Sequence, residues 1–254
     1  MITLRSRAEV DKIEAACRIV ADTLEFLETK IKPGITTLEL DNLAAEYIKG
    51  RGAISAFKNY KGFPGNICTS VNEVVVHGIP GKRVLHARDI ISVDVGVKLN
   101  GYYGDAAATF PVGPQITEEA DRLIRATEEA LEKGIEQAKP DNRLYDISSA
   151  VQEHVEANGF SVVREFVGHG IGTRMHEDPQ LPNFGAADTG PRLKSGMVLA
   201  IEPMVNAGTY RVEVLEDGWT AVTKDRKLSA HFEHTVFIGD SGPEILTKWR
   251  KKKL

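Results

Sequence analysis

Two aspartates eleven residues apart, Asp94 and Asp105, stand on a stretch that reads as a β-hairpin. Asp89 to Leu99 reads as one strand and Tyr102 to Phe110 as its return. Asn100-Gly101 between them is the strongest two-residue turn signal. With those two residues as the loop, Leu99 faces Tyr102, Val97 faces Gly104 and Asp94 faces Ala107. Asp105 is two residues from Ala107 and so shares its face. The two carboxylates become diagonal neighbours, roughly 6–8 Å apart at their backbones. Half-buried anions at that spacing repel, and they need a cation or a shared proton between them.

Two more carboxylates sit in strand-like, apolar surroundings. Glu202 follows Met197-Val198-Leu199-Ala200-Ile201 and precedes Pro203, and Glu233 lies in Ser229 to Phe237. One such Glu alone reads as an outward-facing charge. Four carboxylates in the same context point to coordination. His169 lies between Gly168 and Gly170, where the backbone can approach a ligand closely, and His176 follows seven residues on. This glycine-rich segment cannot be the helix that presents paired histidines in zincins, and no Gly-Lys-Ser/Thr follows to make a phosphate loop. His77 ends the apolar run Val74-Val75-Val76, and on its own it reads as a capped or surface residue. His231 and His234 read as flanking the sheet. Four carboxylates and an imidazole suit two divalent cations of the Mn²⁺, Fe²⁺, Co²⁺, Zn²⁺ or Ni²⁺ kind rather than a thiolate site. Such a pair lowers the pKa of a shared water from 15.7 toward about 7, which suits amide or ester hydrolysis.

The elements that must position these groups are legible in outline. Ser6 to Glu9 is a capping box opening a helix to about Lys30, with Val10, Ile13, Ala16, Cys17, Val20, Leu24 and Leu27 on one face. Pro33-Gly34 breaks it, and Thr36 caps a second helix that ends near Gly50. Thr117 opens a third to about Ala138, and Leu144 to Asn158 reads as a fourth. Superposing Lys32-Pro33 on Lys139-Pro140 also aligns Leu40 with Ile147, Ile48 with Val155 and Gly52 with Gly159, all at an offset of 107. The plan of two helices followed by antiparallel strands therefore occurs twice, over about 7–110 and 117–238, within one domain of 1–254. Strands are expected over Phe160–Phe166, Met197–Pro203, Val212–Leu215, Trp219–Val222 and Ser229–Phe237.

A chain of 254 residues, 42% hydrophobic, can bury a substantial core. Its net charge of −4, from 32 basic and 36 acidic residues, does not suggest a nucleic-acid or membrane-surface protein. The one basic run is the tail from Lys248 to Leu254, which reads as solvated, with a polyanion such as ribosomal RNA as the alternative contact. Two cysteines make no disulfide framework, and the N-terminal residues lack an apolar signal core. These features lead us to expect a soluble, cytoplasmic protein.

In chain order, Asp94, Asp105, Gly168-His169-Gly170, Ile201-Glu202-Pro203 and Glu233-His234-Thr235 resemble the five-ligand pattern of the pita-bread metallopeptidases. Asn72 to Pro80 and Thr223 to Ala230 narrow the resemblance to the type I methionine aminopeptidases, and it spans almost the whole chain. It implies an α+β fold: a curved antiparallel sheet covered by two pairs of helices with internal pseudo-two-fold symmetry. The implied activity is removal of N-terminal methionine from nascent chains and peptides, with a small second residue preferred. Asp94 would bind one ion bidentately, Asp105 and Glu233 would bridge both, and His169 and Glu202 would complete one. Glu202 would also act as base, His176 would bond the scissile carbonyl, and His77 would contact the amide beyond it. Tyr60, Phe63, Cys68, Met175 and Trp219 would line the methionine slot, and Asn72, Val74 and Ser229 would hold a structural sodium or potassium ion. The expected partners are the N-termini of nascent polypeptides, with the ribosome near the exit tunnel as a candidate, and the expected state is a monomer. Gly96, Lys61 and Met175 depart from residues common in that family at the site. The rival readings are an Xaa-Pro aminopeptidase or prolidase, a non-catalytic binding module of the same fold, and a dinuclear phosphoesterase.

Overall fold

The computed structural model describes residues 2–249. The expected basic run therefore lies mostly outside the described residues; Lys248 and Trp249 are within them. Helix α1 (Arg7–Glu28) opens as the sequence dictates, with the Glu9 carboxylate reaching back to the Ser6 N–H at 3.0 Å. All seven expected apolar positions are buried. Helix α2 (Thr37–Gly50) has the reciprocal box in full. Glu39 N–H donates to Thr36 Oγ1 at 3.2 Å, and Thr36 N–H donates to Glu39 at 2.7 Å.

Strand β1 (Ile54–Ser55), β2 (Cys68–Val71) and β3 (Val74–Val76) precede the long hairpin of β4 (Ile90–Leu99) and β5 (Tyr102–Pro111). Its register is the expected one, with Leu99 opposite Tyr102 and Asp94 opposite Ala107. Asn100 and Gly101 both take positive φ, 49° and 86°, as a tight hairpin turn requires. Helices α3 (Glu118–Gln137) and α4 (Leu144–Ala157) follow. The rest of the chain is strands: β6 (Ser161–Val162), β7 (Gly168–Gly170), β8 (Glu177–Leu181), β9 (Val198–Ile201), β10 (Met204–Asn206), β11 (Val212–Val214), β12 (Ala221–Thr223), β13 (Ser229–His231), β14 (Glu233–Gly239) and β15 (Gly242–Ile245).

Nine strands form the main sheet, in the order β1-β4-β5-β14-β9-β7-β8, with β2 on β4 and β15 on β14. Every pairing is antiparallel. Helix α1 packs its apolar face on β4 and β5 and α2 packs beside it, on α1 and β1, so that Leu24, Leu40, Ile91 and Val95 are buried in one cluster. Leu131, Ile135, Leu144 and Ile147 of α3 and α4 close over Leu199 and Val236 of β9 and β14. At about 1.5–3 kcal/mol for each such side chain fully buried, these two interfaces are a large part of what fixes the sheet's curvature.

The expected strands of the second half are broken, shortened or displaced: Val212–Leu215 ends at Val214, and Trp219–Val222 begins only at Ala221 and runs to Thr223. Met197–Pro203 stops at Ile201, because Pro203 has no N–H to continue the ladder, and β10 leaves for a second sheet with β13 and β6. Ser229–Phe237 divides at Phe232 for the same change of sheet. Phe160–Phe166 pairs only at Ser161–Val162.

Candidate metal centre and substrate cavity

Strand register alone brings the five expected ligands to one face of the main sheet. Residues directly opposite one another point the same way, and so do residues two apart on a strand. Asp94 on β4 faces Ala107 on β5, which faces Glu233 on β14. Asp105 is two residues from Ala107. Two residues beyond Glu233, Thr235 faces Ala200 on β9, which faces His169 on β7. Glu202 is two residues past Ala200, and the β9–β14 register places it next to the level of Glu233 (Ile201 faces His234). Ala107 and Ala200, both fully buried, leave room for the carboxylates above them.

This cluster is unpaired in a revealing way. Asp94 Oδ1, Asp105 Oδ1, Glu233 Oε1 and His231 Nε2 are buried with no hydrogen-bond partner among the described residues. Donor atoms of Asp105, His169 and Glu233 lie within 4.8 Å of one another, as do those of Glu202, His231 and Glu233. His169 Nε2 is 3.6 Å from Glu202 Oε1 and 3.9 Å from Asp105 Oδ2. Its Nδ1 donates to the Gly170 carbonyl at 2.9 Å, which leaves a lone pair on Nε2 aimed at the carboxylates. Burial pushes Asp94 up to about 7, and burial with neighbouring carboxylates pushes Asp105 and Glu233 well above the usual carboxylate range. Burial does the same to Glu202. Burial lowers His169 to about 3, so its imidazole is neutral. Crowded carboxylates beside a neutral imidazole, with bare oxygens between them, form a cation site in donor type and arrangement.

The cluster forms the floor of a cavity of about 170 Å³. Tyr60, Phe63, Cys68, His77, His176 and Trp219 line it with the ligand residues. Tyr60 precedes Phe63 by a short 3₁₀ turn, and Trp219 N–H is fixed by Asp217 at 2.8 Å. Phe63 and Trp219 meet edge to face at 5.2 Å. Met175 is buried in the same cluster but is not among the cavity-lining residues; it sits behind Gly96. Lys61 is at the rim, in a left-handed conformation. His176 Nδ1 is 2.8 Å from the Tyr60 hydroxyl, and its ring lies 4.3 Å from that of His169. His77 is half-buried at positive φ, edge-on to Phe166, and burial lowers its pKa to about 4. Asn72, Val74 and Ser229 lie outside the cavity lining; Ser229 N–H donates to the Asn72 carbonyl at 2.8 Å.

Three participants escaped the sequence reading. Phe57 lines the cavity, and a β-carbon on residue 96 would lie 2.5 Å from its ring. Gly96 itself was the available signal. Arg5 bonds both oxygens of Glu177 at 2.7 and 2.6 Å, and Glu177 accepts from Thr173 and Arg174 N–H, which pins the loop carrying His176. His231 does not flank the sheet. It is 2% exposed, inside the carboxylate cluster.

Residues 11–240 match the model of metallopeptidase family M24, and the chain belongs to that family. Within it, the chain groups with the methionine aminopeptidases. It is 58% identical to the methionine aminopeptidase of Clostridium perfringens over 97% of this chain and 99% of that protein. The crystal structure of the Thermotoga maritima methionine aminopeptidase superposes with a TM-score of 0.96, at 49% identity, covering 98% of this chain and all of that one. The curved α+β fold is shared more widely. Prolidase from Pyrococcus furiosus matches with a TM-score of 0.79 at 22% identity, over 98% of this chain and 66% of that one.

Proposed function

We propose that this protein removes the N-terminal methionine of peptides and nascent proteins whose second residue is small. The observation that carries the reading is the convergence of Asp94, Asp105, His169, Glu202 and Glu233, with bare buried oxygens, on the floor of a narrow, partly aromatic cavity. Those five residues would hold two divalent cations of the Co, Mn, Fe, Zn or Ni kind. Bound ions would supply Lewis acidity and an ionised water at neutral pH.

The chain's own groups do the rest. The substrate's first side chain enters between Phe57, Tyr60, Phe63, Cys68 and Trp219, with Met175 behind them. The cavity is smaller than the roughly 300–1,000 Å³ that admits drug-sized ligands, which favours one side chain over a bulky group. Glu202, at the open end of β9, takes the proton of the attacking water. The Tyr60 hydroxyl lies 2.8 Å from His176 Nδ1; in this reading the O–H donates, the hydrogen of the neutral ring is on Nε2, and that N–H is the donor for the scissile carbonyl oxygen as charge builds. His77, kept neutral by burial, contacts the next amide.

The reading extends to a sodium or potassium ion at Asn72, Val74 and Ser229, supported by the bond that ties the first to the last. It also takes residues 1–254 as one catalytic domain, acting as a cytoplasmic monomer on chains leaving the ribosome. No helix among the described residues is long and apolar enough to cross a membrane.

The test is hydrolysis of Met-Ala-Ser against Ala-Pro-Ala, with chelator and with added Mn²⁺ or Co²⁺. Methionine release that needs the ion is expected. Preferred cleavage of the proline peptide would move the chain to the Xaa-Pro enzymes, and cleavage of neither would leave a binding module. Glu202→Gln or Asp105→Ala should stay folded by circular dichroism and lose at least about 10²-fold in kcat/KM.

A further inference from the structure

The Glu202 carboxylate stands between two imidazoles. His169 Nε2 is 3.6 Å from Oε1, and His231 Nε2 is 3.6 Å from Oε2. The two rings are not equivalent. His169 donates from Nδ1 to a carbonyl and presents a lone pair to the cluster. His231 presents an Nε2 that is buried and has no partner among the described residues. Its backbone cannot drift, because the N–H donates to Thr109 Oγ1 at 2.9 Å and the carbonyl accepts from the same hydroxyl at 2.8 Å. Opposite it on β10 is Met204, two residues after Glu202 on the far side of Pro203. The ring is therefore anchored to the strand that turns away at Glu202, and its free nitrogen faces the oxygen that His169 does not face.

We propose that His231 is a positioning residue: its Nε2–H donates to Glu202 Oε2 and thereby holds Oε1, beside His169 Nε2, toward the bound ion. The proposal rests on the preceding assignment of Glu202 as a ligand. The gap is 3.6 Å and a charge-assisted bond is about 2.7–2.9 Å, so less than about 1 Å of side-chain movement closes it. Ligating groups are commonly oriented by such outer hydrogen bonds. Direct ligation by His231 is the competing role. The donor group that contains His231 includes neither aspartate, however, whereas an ion must meet the bare oxygens of Asp94 and Asp105 as well as that of Glu233, which both donor groups share. An ion serving Asp105 groups with His169 and Glu233.

The test titrates the chelated protein with Mn²⁺ by calorimetry in wild type, His231→Gln and His231→Leu. Cobalt X-ray absorption counts imidazoles per ion in wild type and the glutamine variant. Glutamine keeps an N–H donor and ligates these ions poorly. The expected result is Mn²⁺ affinity within about threefold of wild type for His231→Gln, a 10–100-fold loss for His231→Leu, and an unchanged imidazole count. Leucine binding as tightly as wild type would overturn the proposal. So would glutamine losing as much as leucine, or an imidazole disappearing from the cobalt shell in His231→Gln. Should the leucine variant not fold, the glutamine affinity and imidazole count still decide. A wild-type protein that takes up no Mn²⁺ would instead sink the site assignment itself, an outcome distinct from wild type and leucine variant binding alike.

Discussion

His176 and Gly96 illustrate what a single residue contributes here. His176 has its Nδ1 engaged by Tyr60, so the ring cannot rotate freely and only Nε2 faces the cavity. Replacing it with Ala should lower kcat by 10²–10³-fold, about 3–4 kcal/mol, as for other donors to a developing oxyanion. Steady-state kinetics on a methionyl peptide checks this, and a change confined to KM would reduce His176 to a binding group. Gly96 is an absence that another side chain fills. A β-carbon there would lie 2.5 Å from Phe57 Cε1 and 3.0 Å from Met175 Cε. Gly96→Ala should cost about 1–3 kcal/mol in urea denaturation through overpacking, and Phe57→Leu in the same chain should recover most of it. The departure at Gly96 was legible in the sequence; its complement at Phe57 was not, because nothing local links residues 57 and 96. His231 was hidden for a similar reason. A histidine in a strand has no local mark of which sheet claims it.

Elements were legible wherever a local code sufficed. Capping boxes, the Pro33-Gly34 break and the Asn100-Gly101 turn fix their segments within a few residues, and the hairpin register follows from the turn alone. The two corners where strands change sheets, Glu202-Pro203 and Phe232, were read as continuous, since the sheet a strand joins is decided by distant partners. Yet those corners carry two of the carboxylates, and leaving the ladder is what frees Glu202 to reach the cavity. The loop from Gly172 to Glu177 depends on a contact no local pattern reveals. Arg5, ahead of α1, donates from Nη2 to both oxygens of Glu177, and the two side chains are 7% and 5% exposed. Removing one partner strands the other as a buried charge. Arg5→Ala should therefore lower stability by about 3–5 kcal/mol. Because the same loop places His176, the kcat of whatever protein remains folded should fall as well. Denaturant melts and kinetics at low temperature separate the two effects.

At the scale of the whole molecule, the fold brings together acids from both halves of the chain, Asp94 and Asp105 from one and Glu202 and Glu233 from the other. Helices α2 and α4 each run 14 residues, with both bounds 107 apart, the same offset that aligns the two halves in the sequence. Neither half alone holds the donor set, so the assembled site carries a stability cost that a bound cation would offset. Its pH dependence has a definite sign. Asp94 is raised to about 7, and Asp105, Glu202 and Glu233 are raised well above the carboxylate range, mainly by burial. The folded, ion-free protein therefore binds more protons than the unfolded chain, and stability is lost as pH rises through those folded values. The histidines act oppositely: burial lowers His169 to about 3 and His77 to about 4, so their contribution is lost as pH falls below about 6.5. Above pH 7 they are neutral in both states, and below about 8.5 unfolded cysteines stay mostly protonated, so the carboxylates dominate between pH 7 and 8. The chelated protein should melt at a lower temperature at pH 8 than at pH 7. Saturating Mn²⁺ should raise the Tm at both values and flatten the difference, since an ion holds the carboxylates ionised and stabilises the state that binds it. Calorimetric melts at the two pH values, with and without chelator, measure both effects, and a chelated Tm that rises from pH 7 to 8 would mean that the acids are not buried together as the fold places them.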